Sequence, residues 1–248
     1  MNAHHKQSVS NAIIVAAGMG RRLSPITDTT PKPLITVNGH VIIETLINTL
    51  VESGITNIVI VVGHMKEKFT YLVDMHTNAT ITLIANPHYN ECNNISSLYA
   101  ARNYIGNSII LDGDIIIKNK EILCSNFESS GYCSAWTESG TTEWLQTVDD
   151  DGVVLSCKRN GGNMGWQLFS ISFWNHEDGM KLKNHLEDVF IRRNITDVYW
   201  DDIPMFLCNN EYKLKIRQIR HDDLIEIDNL HELVAIDSSY QKYVEDFK

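Results

Sequence analysis

The stretch Ala16 to Leu34, AAGMGRRLSPITDTTPKPL, follows directly on the apolar run Ala12 to Ala17 and decides how the rest of the chain is read. A short β-branched run that ends in Ala-Ala-Gly and opens into a glycine-containing, basic, proline-punctuated loop is how an α/β protein presents backbone N–H groups to a phosphate. Two better known phosphate loops do not fit. A dinucleotide fingerprint needs a third glycine opening a helix, which Gly18-Met19-Gly20-Arg21-Arg22-Leu23 lacks, and a P-loop needs Gly-Lys-Ser/Thr, also absent. What remains is the glycine pair, then Arg22, then Lys32 between Pro31 and Pro33. The prolines restrict the backbone on both sides, which predicts Lys32 in a stiff extended segment, as an ammonium point charge suited to a triphosphate.

Outward from this loop, 248 residues with 43% hydrophobic content can bury an ordinary core. A formal charge of −10 argues against nucleic-acid binding through a general basic face, yet Arg22 and Lys32 can still make a local positive site for a small anion. The five cysteines are odd in number, widely spread and form no Cys-x-x-Cys pair. With no signal-peptide pattern and no apolar run long enough for a bilayer, a reducing cytoplasm is the expected compartment and membrane insertion is not expected.

In chain order, residues 1–10, with His4 and His5, read as a disordered tail, and 11–248 as one domain with a nucleotide-binding half at 11–128 and an acceptor-binding part at 129–248. Strands are predicted at Asn11 to Ala17, Asn57 to Val62, Thr80 to Ala85 and Ser108 to Leu111. Helices fall at Val41 to Leu50, Lys66 to His76 and Asn94 to Tyr104. Alternation of this kind implies a Rossmann-like, doubly wound mixed α/β sheet with ligands beyond the carboxyl ends of its strands. After about residue 130, short alternating runs separated by Asp149-Asp150-Asp151-Gly152 and Asn160-Gly161-Gly162-Asn163 signal inserted hairpins. Helices are then predicted over His176 to Asn194 and Val198 to Cys208, a strand over Lys213 to Ile219, and two closing helices over Leu230 to Asp237 and Ser239 to Phe247.

Asp112-Gly113-Asp114 ends a buried strand, and only one of its carboxylates is expected to face the ligand directly. A phosphate-bridging divalent cation takes one or two protein carboxylates, so a second acidic residue should come from a distant segment, and Glu226-Ile227-Asp228 is the best placed. The competing reading is that Asp228 caps the following helix.

The first motif resembles that of the nucleotidyltransferase superfamily, in which Ala-Gly-x-Gly-x-Arg-Leu is followed by Pro-Lys-Pro-Leu. Residues 89–99 (YNECNNISSLY), Glu143-Trp144, Ser172-Phe173-Trp174, Tyr199-Trp200-Asp201 and Glu226-Ile227-Asp228 further resemble the bacterial CTP:phosphocholine cytidylyltransferases. The resemblance implies the nucleotidyltransferase fold and Mg²⁺ held by Asp114 and Asp228, with Asp112 behind them. It also implies CTP bound by Ala17, Gly18, Met19, Gly20, Arg22, Lys32, Asn94 and Ser97, with Arg22 and Lys32 catalytic. The expected acceptor is phosphocholine, in a site built from Trp144, Tyr199, Trp200, Asp201 and Glu226. A quaternary ammonium has no N–H to donate and favours aromatic faces, and all five tryptophans lie after residue 130. Trp136 and Trp166 are expected to be core residues instead. Left open are the same chemistry on 2-aminoethylphosphonate or a sugar 1-phosphate, and a non-catalytic nucleotide-binding regulator.

Overall fold

Four parallel strands carry the first half of the chain, in the computed structural model that describes residues 6–245. They are β1 (Asn11–Ala16), β2 (Asn57–Val62), β3 (Thr80–Ala85) and β4 (Ser108–Asp112), with β1 paired to β2 and β4 on either side and β2 paired to β3. The near-continuous branched residues of β1, β2 and β4 are buried on both faces, as a parallel sheet requires, while the edge strand β3 buries only Ile81. Ala12, Ile14 and Ala16 of β1 turn toward helix α1 (Ile42–Glu52) and its Ile43, Leu46, Ile47 and Leu50. Ile13 of β1 turns the other way, with Val59, Val61 and Ile110, toward α2 (Ile95–Ala100) and α3 (His176–Leu186).

Beyond β4 the chain makes β5 (Ile115–Ile117), β6 (Gly131–Thr137), β7 (Leu145–Val148), β8 (Val154–Lys158), β9 (Gly165–Trp174), β10 (Lys215–Gln218), β11 (Leu224–Glu226) and helix α4 (Leu230–Ile236). The main sheet has nine strands, in the order β8-β7-β9-β4-β1-β2-β3, with β6 paired to β9 and β10 paired to β6. The ten residues of β9 join the two halves. One edge pairs with β6 from Gly131↔Phe173 to Thr137↔Gly165; the other pairs with β4 at Ile171 to Trp174 and with β7 at Trp166 and Gln167. Leu168 and Ser170 lie on that edge between β4 and β7, where the two strands part and a cleft opens.

Several expectations change. Of the expected tail, Gln7 and Ser8 pair with Phe127 and Asn126, and the Val9 N–H donates to Ser125 O at 2.8 Å; His4 and His5 lie outside the described residues. Lys66–Asp74 is a 3₁₀ segment, and Asn94 to Tyr104 splits into α2 and a 3₁₀ turn at Arg102–Tyr104. The run from His176 widens to a π turn at Glu187–Arg192. Only Ile203–Leu207 of the Val198 to Cys208 helix forms, as a π turn whose second residue, Pro204, has no N–H to give. No helix of the described residues is long and apolar enough to cross a membrane. Cys133 is buried, and all five cysteines are free thiols.

The tryptophan assignment is reversed. Trp136 is 42% exposed against the edge of Trp166, whereas Trp174 is fully buried and Trp200 is 4% exposed. β6 turns Trp136 outward while Tyr132 on the same strand packs inward between Trp174 and Trp200. Trp174→Ala is expected to cost about 3–5 kcal/mol in urea unfolding, and Trp136→Ala about 1 kcal/mol or less. Equal losses at the two positions would contradict this placement of the core.

Candidate active site

The glycine loop leaves β1 and turns back at Gly20, whose φ of +63° suits glycine and whose Cβ would lie 2.9 Å from Thr27 Cγ2. At Gly18 a Cβ would meet nothing within 4 Å, so that position leaves room in the cleft. Ala17, Gly18, Gly20 and Arg22 line the cleft. Met19 does not: it borders an outer depression with Arg21 and His64, and its sulfur accepts from Arg21 Nη2 at 3.4 Å.

Lys32 sits in a short 3₁₀ turn, Lys32–Leu34, rather than the expected extended segment, because Pro31 is extended while Pro33 continues the turn. It is 8% exposed, and its ammonium contacts the Asp114 carboxylate directly and Asp228 Oδ1 at 3.2 Å. Burial works against the charge, but Asp114 and Asp228 outweigh it and raise the lysine above its ordinary pKa. Arg22 reaches the same Asp228 Oδ1 at 2.8 Å.

Both carboxylates of Asp112-Gly113-Asp114 face the cleft, contrary to the expectation of one. Residues two apart share a face, and Gly113 between them packs on β1, where a Cβ would lie 2.9 Å from that of Ala16. Desolvation, then repulsion from Asp114, Asp201 and Glu226, holds the Asp112 carboxyl well above the usual range. Asp228 is not the helix cap. Asn229 is, in a capping box with Glu232, and the Asp228 N–H donates to Glu232 Oε2 at 2.6 Å. Among the described residues no cluster of three or more His, Cys, Asp or Glu side chains has metal-site geometry; Asp114 and Asp228 converge on the Lys32 ammonium.

Two cavities of about 370 and 300 Å³ meet at Arg22, Asn94, Asp112, Asp114 and Asp228. The first holds the glycine loop, Lys32 and Ser97, together with Tyr89, Cys92 and Asn93. The second is lined by Trp144, Tyr199, Asp201 and Glu226, joined by Glu143, Leu168 and Ser170. Trp144 and Tyr199 meet edge to face, with centroids 6.0 Å apart. Trp200 is absent from this wall: its ring stacks on Tyr132 in the core, and only its N–H reaches the site region, donating to Asn94 Oδ1 at 2.9 Å.

Asp201 Oδ1 accepts from Tyr132 Oη at 2.8 Å, and desolvation lifts this carboxyl to about 7 against the opposing effect of that bond. Desolvation likewise lifts Glu226 to about 7, although its Oε1 accepts from the Ser170 hydroxyl and from the Ser170 N–H at 3.3 Å. Asp201 Oδ2 and Glu226 Oε2 take no hydrogen bond among the described residues. Asp112 was readable as a cleft residue from its spacing to Asp114, and Glu143 from its neighbour Trp144. Ser170 carries no local signal, because its role depends on where β4 and β7 part.

The Nucleotidyl transferase family model matches residues 11–133. A 2-aminoethylphosphonate cytidylyltransferase of Lancefieldella rimae is 35% identical over 93% of this chain and 93% of its own length. A choline-phosphate cytidylyltransferase of Haemophilus influenzae is 34% identical over 90% and 94%. The solved structure of CTP:phosphocholine cytidylyltransferase from Streptococcus pneumoniae superposes with a TM-score of 0.84 at 31% identity, covering 96% of this chain and 99% of that one. The chain belongs to the nucleotidyl transferase family, among its cytidylyltransferases.

Asp228→Ala is expected to leave the melting temperature near wild type while lowering turnover by roughly 10²–10³-fold. Asn229→Ala should do the reverse, costing about 1 kcal/mol of stability with turnover kept. Thermal melts and pyrophosphate release on both variants separate the roles, and the opposite pattern would return Asp228 to a structural part.

Proposed function

We propose that the protein transfers the cytidylyl group of CTP to 2-aminoethylphosphonate, releasing pyrophosphate. The observation that carries this reading is the second cavity, in which Glu143, Asp201 and Glu226 surround the space beside Trp144 and Tyr199. A primary ammonium brings three N–H donors, and the unclaimed oxygens of Asp201 and Glu226 match them. The 35% identity to the Lancefieldella rimae enzyme supports the same acceptor. Phosphocholine is the second reading, favoured by the perpendicular Trp144 and Tyr199 rings, which can receive a quaternary ammonium on their faces.

The acceptor's phosphonate oxygen is already anionic at neutral pH, so no general base is required. It attacks the α-phosphorus in line, the new P–O bond forms, and the bond to the β-phosphate oxygen breaks with its electron pair leaving on pyrophosphate. The protein's part is to orient the two anions and offset their charge. Arg22 borders both cavities and can hold donor and acceptor oxygens together; Lys32 neutralises the phosphates, and Gly18 to Gly20 offer N–H groups. Asp114 and Asp228 already converge on one cation, the Lys32 ammonium, and so fit Mg²⁺, which takes one or two carboxylates together with substrate phosphates. When bound there, Mg²⁺ would neutralise charge on the transferring phosphate.

The acceptor is tested by kcat/KM on 2-aminoethylphosphonate, phosphoethanolamine and phosphocholine with CTP. The aminophosphonate is expected to be preferred, and Glu143→Gln to weaken the two primary amines more than choline. A wild type that prefers phosphocholine, with Trp144→Leu costing it several-fold, would replace the acceptor and leave the chemistry standing.

Asp201 sets a pH dependence. With its carboxyl near 7 in the free enzyme, the ionised form that binds an ammonium grows as pH rises. KM for a cationic acceptor is therefore expected to fall between pH 6 and 8, by up to about tenfold per unit, while KM for CTP changes little. Asp201→Asn should make the acceptor profile shallower, with the remainder due to Glu226, and adding Glu226→Gln should flatten it; an unchanged slope in Asp201→Asn would remove Asp201 from the ammonium site.

A further inference from the structure

Just past the end of β3, Asn86 is 2% exposed and touches neither cavity. Its Oδ1 accepts from the His88 backbone N–H at 2.9 Å. A backbone N–H can only donate, so the amide orientation is fixed and Nδ2 faces the start of α2. There its two hydrogens go to Ser96 Oγ at 2.9 Å and Ser97 Oγ at 3.0 Å. Ser96 passes its own proton to Asn93 O at 2.8 Å. Ser97 passes its proton to no group among the described residues, and it borders the first cavity.

We propose that Asn86 is a positioning residue for base selection, fixing the Ser97 hydroxyl as a hydrogen-bond donor into the nucleotide cavity, where it meets ring N3 of cytosine. N3 is the ring atom at which the two pyrimidines differ in sign: it accepts in cytosine and carries a hydrogen in uracil. With Asn86 donating to one of its two lone pairs, the Ser97 hydroxyl keeps its proton free for the first, and must turn that proton away to accept from the second. The proposal rests on the reading that the base of CTP lies in the first cavity.

Asn86→Asp is the near-isosteric test. The carboxylate still accepts from His88, but its second oxygen now draws the Ser97 proton inward and leaves a lone pair facing the base. The kcat/KM ratio for CTP over UTP is expected to fall roughly ten- to a hundredfold, through loss on CTP and gain on UTP. KM for the acceptor should stay within about twofold. Ser97→Ala, which places no new charge in the interior, should lose CTP preference without gaining UTP, and it keeps the test alive if Asn86→Asp does not fold. Losses of equal size on both nucleotides in Ser97→Ala would overturn the N3 assignment while keeping the base in the cavity. An unchanged KM for CTP in Ser97→Ala would overturn the proposal together with the placement of the base, and wild-type pyrophosphate release would still stand.

Discussion

The ammonium of Lys32 between Asp114 and Asp228 ties together three segments that are far apart in sequence. A buried lysine without partners would lose its proton, and carboxylates crowded into one cleft would repel each other; each side makes the other tolerable. The arrangement constrains the fold mainly through Asp114, the less exposed of the two carboxylates, whereas Asp228 is 35% exposed. It also explains why the glycine loop and the C-terminal segment pack together. Leu23, Ile35 and Val37 share one apolar cluster with Ile227 and Leu233, and Asn38 and Thr36 are pinned by Asp237 and Tyr240.

The same local device presents the carboxylates twice. In Asp112-Gly113-Asp114 the middle residue packs on β1, and in Glu226-Ile227-Asp228 the middle residue is fully buried in that apolar cluster. The flanking acids therefore turn together toward the cleft. Placing one such triplet at the end of a parallel strand and the other at the end of β11, which pairs antiparallel to β5 beyond the first triplet, brings Asp112, Asp114 and Asp228 to the seam between the two cavities and Glu226 into the second. Their mutual repulsion is what a cationic acceptor, a basic side chain or a divalent ion relieves.

The first half of the chain is legible because its signals are local. Alternation of branched strands and helices points to a doubly wound sheet, and the glycine pair with Arg22 and Lys32 points to the cleft beyond its strand ends. The second half was less so, since its determinants are tertiary. The sequence pattern puts Trp136 in the core and Trp200 in the pocket, yet the facing of β6 exposes the first and the Tyr132 ring buries the second. Likewise, the helix pattern from Val198 onward could not reveal that the Asp202 carboxylate would accept the Tyr199 N–H and the Arg159 guanidinium, competing with a regular turn.

The burial of Trp200 changes the character of the second cavity. Three aromatic rings and one carboxylate would describe a cage for a cation that cannot hydrogen-bond. Two rings with Glu143, Asp201 and Glu226 describe a site where hydrogen-bond number matters, because a carboxylate left without a donor in a partly desolvated pocket loses more than an aromatic face left without a cation. Tyr132 and Ser170 each occupy one oxygen of these acids, which leaves the other to be filled by the ligand. In the proposed reading, acceptor choice then depends on Tyr132, behind the wall on β6, and on Ser170, in the wall on β9.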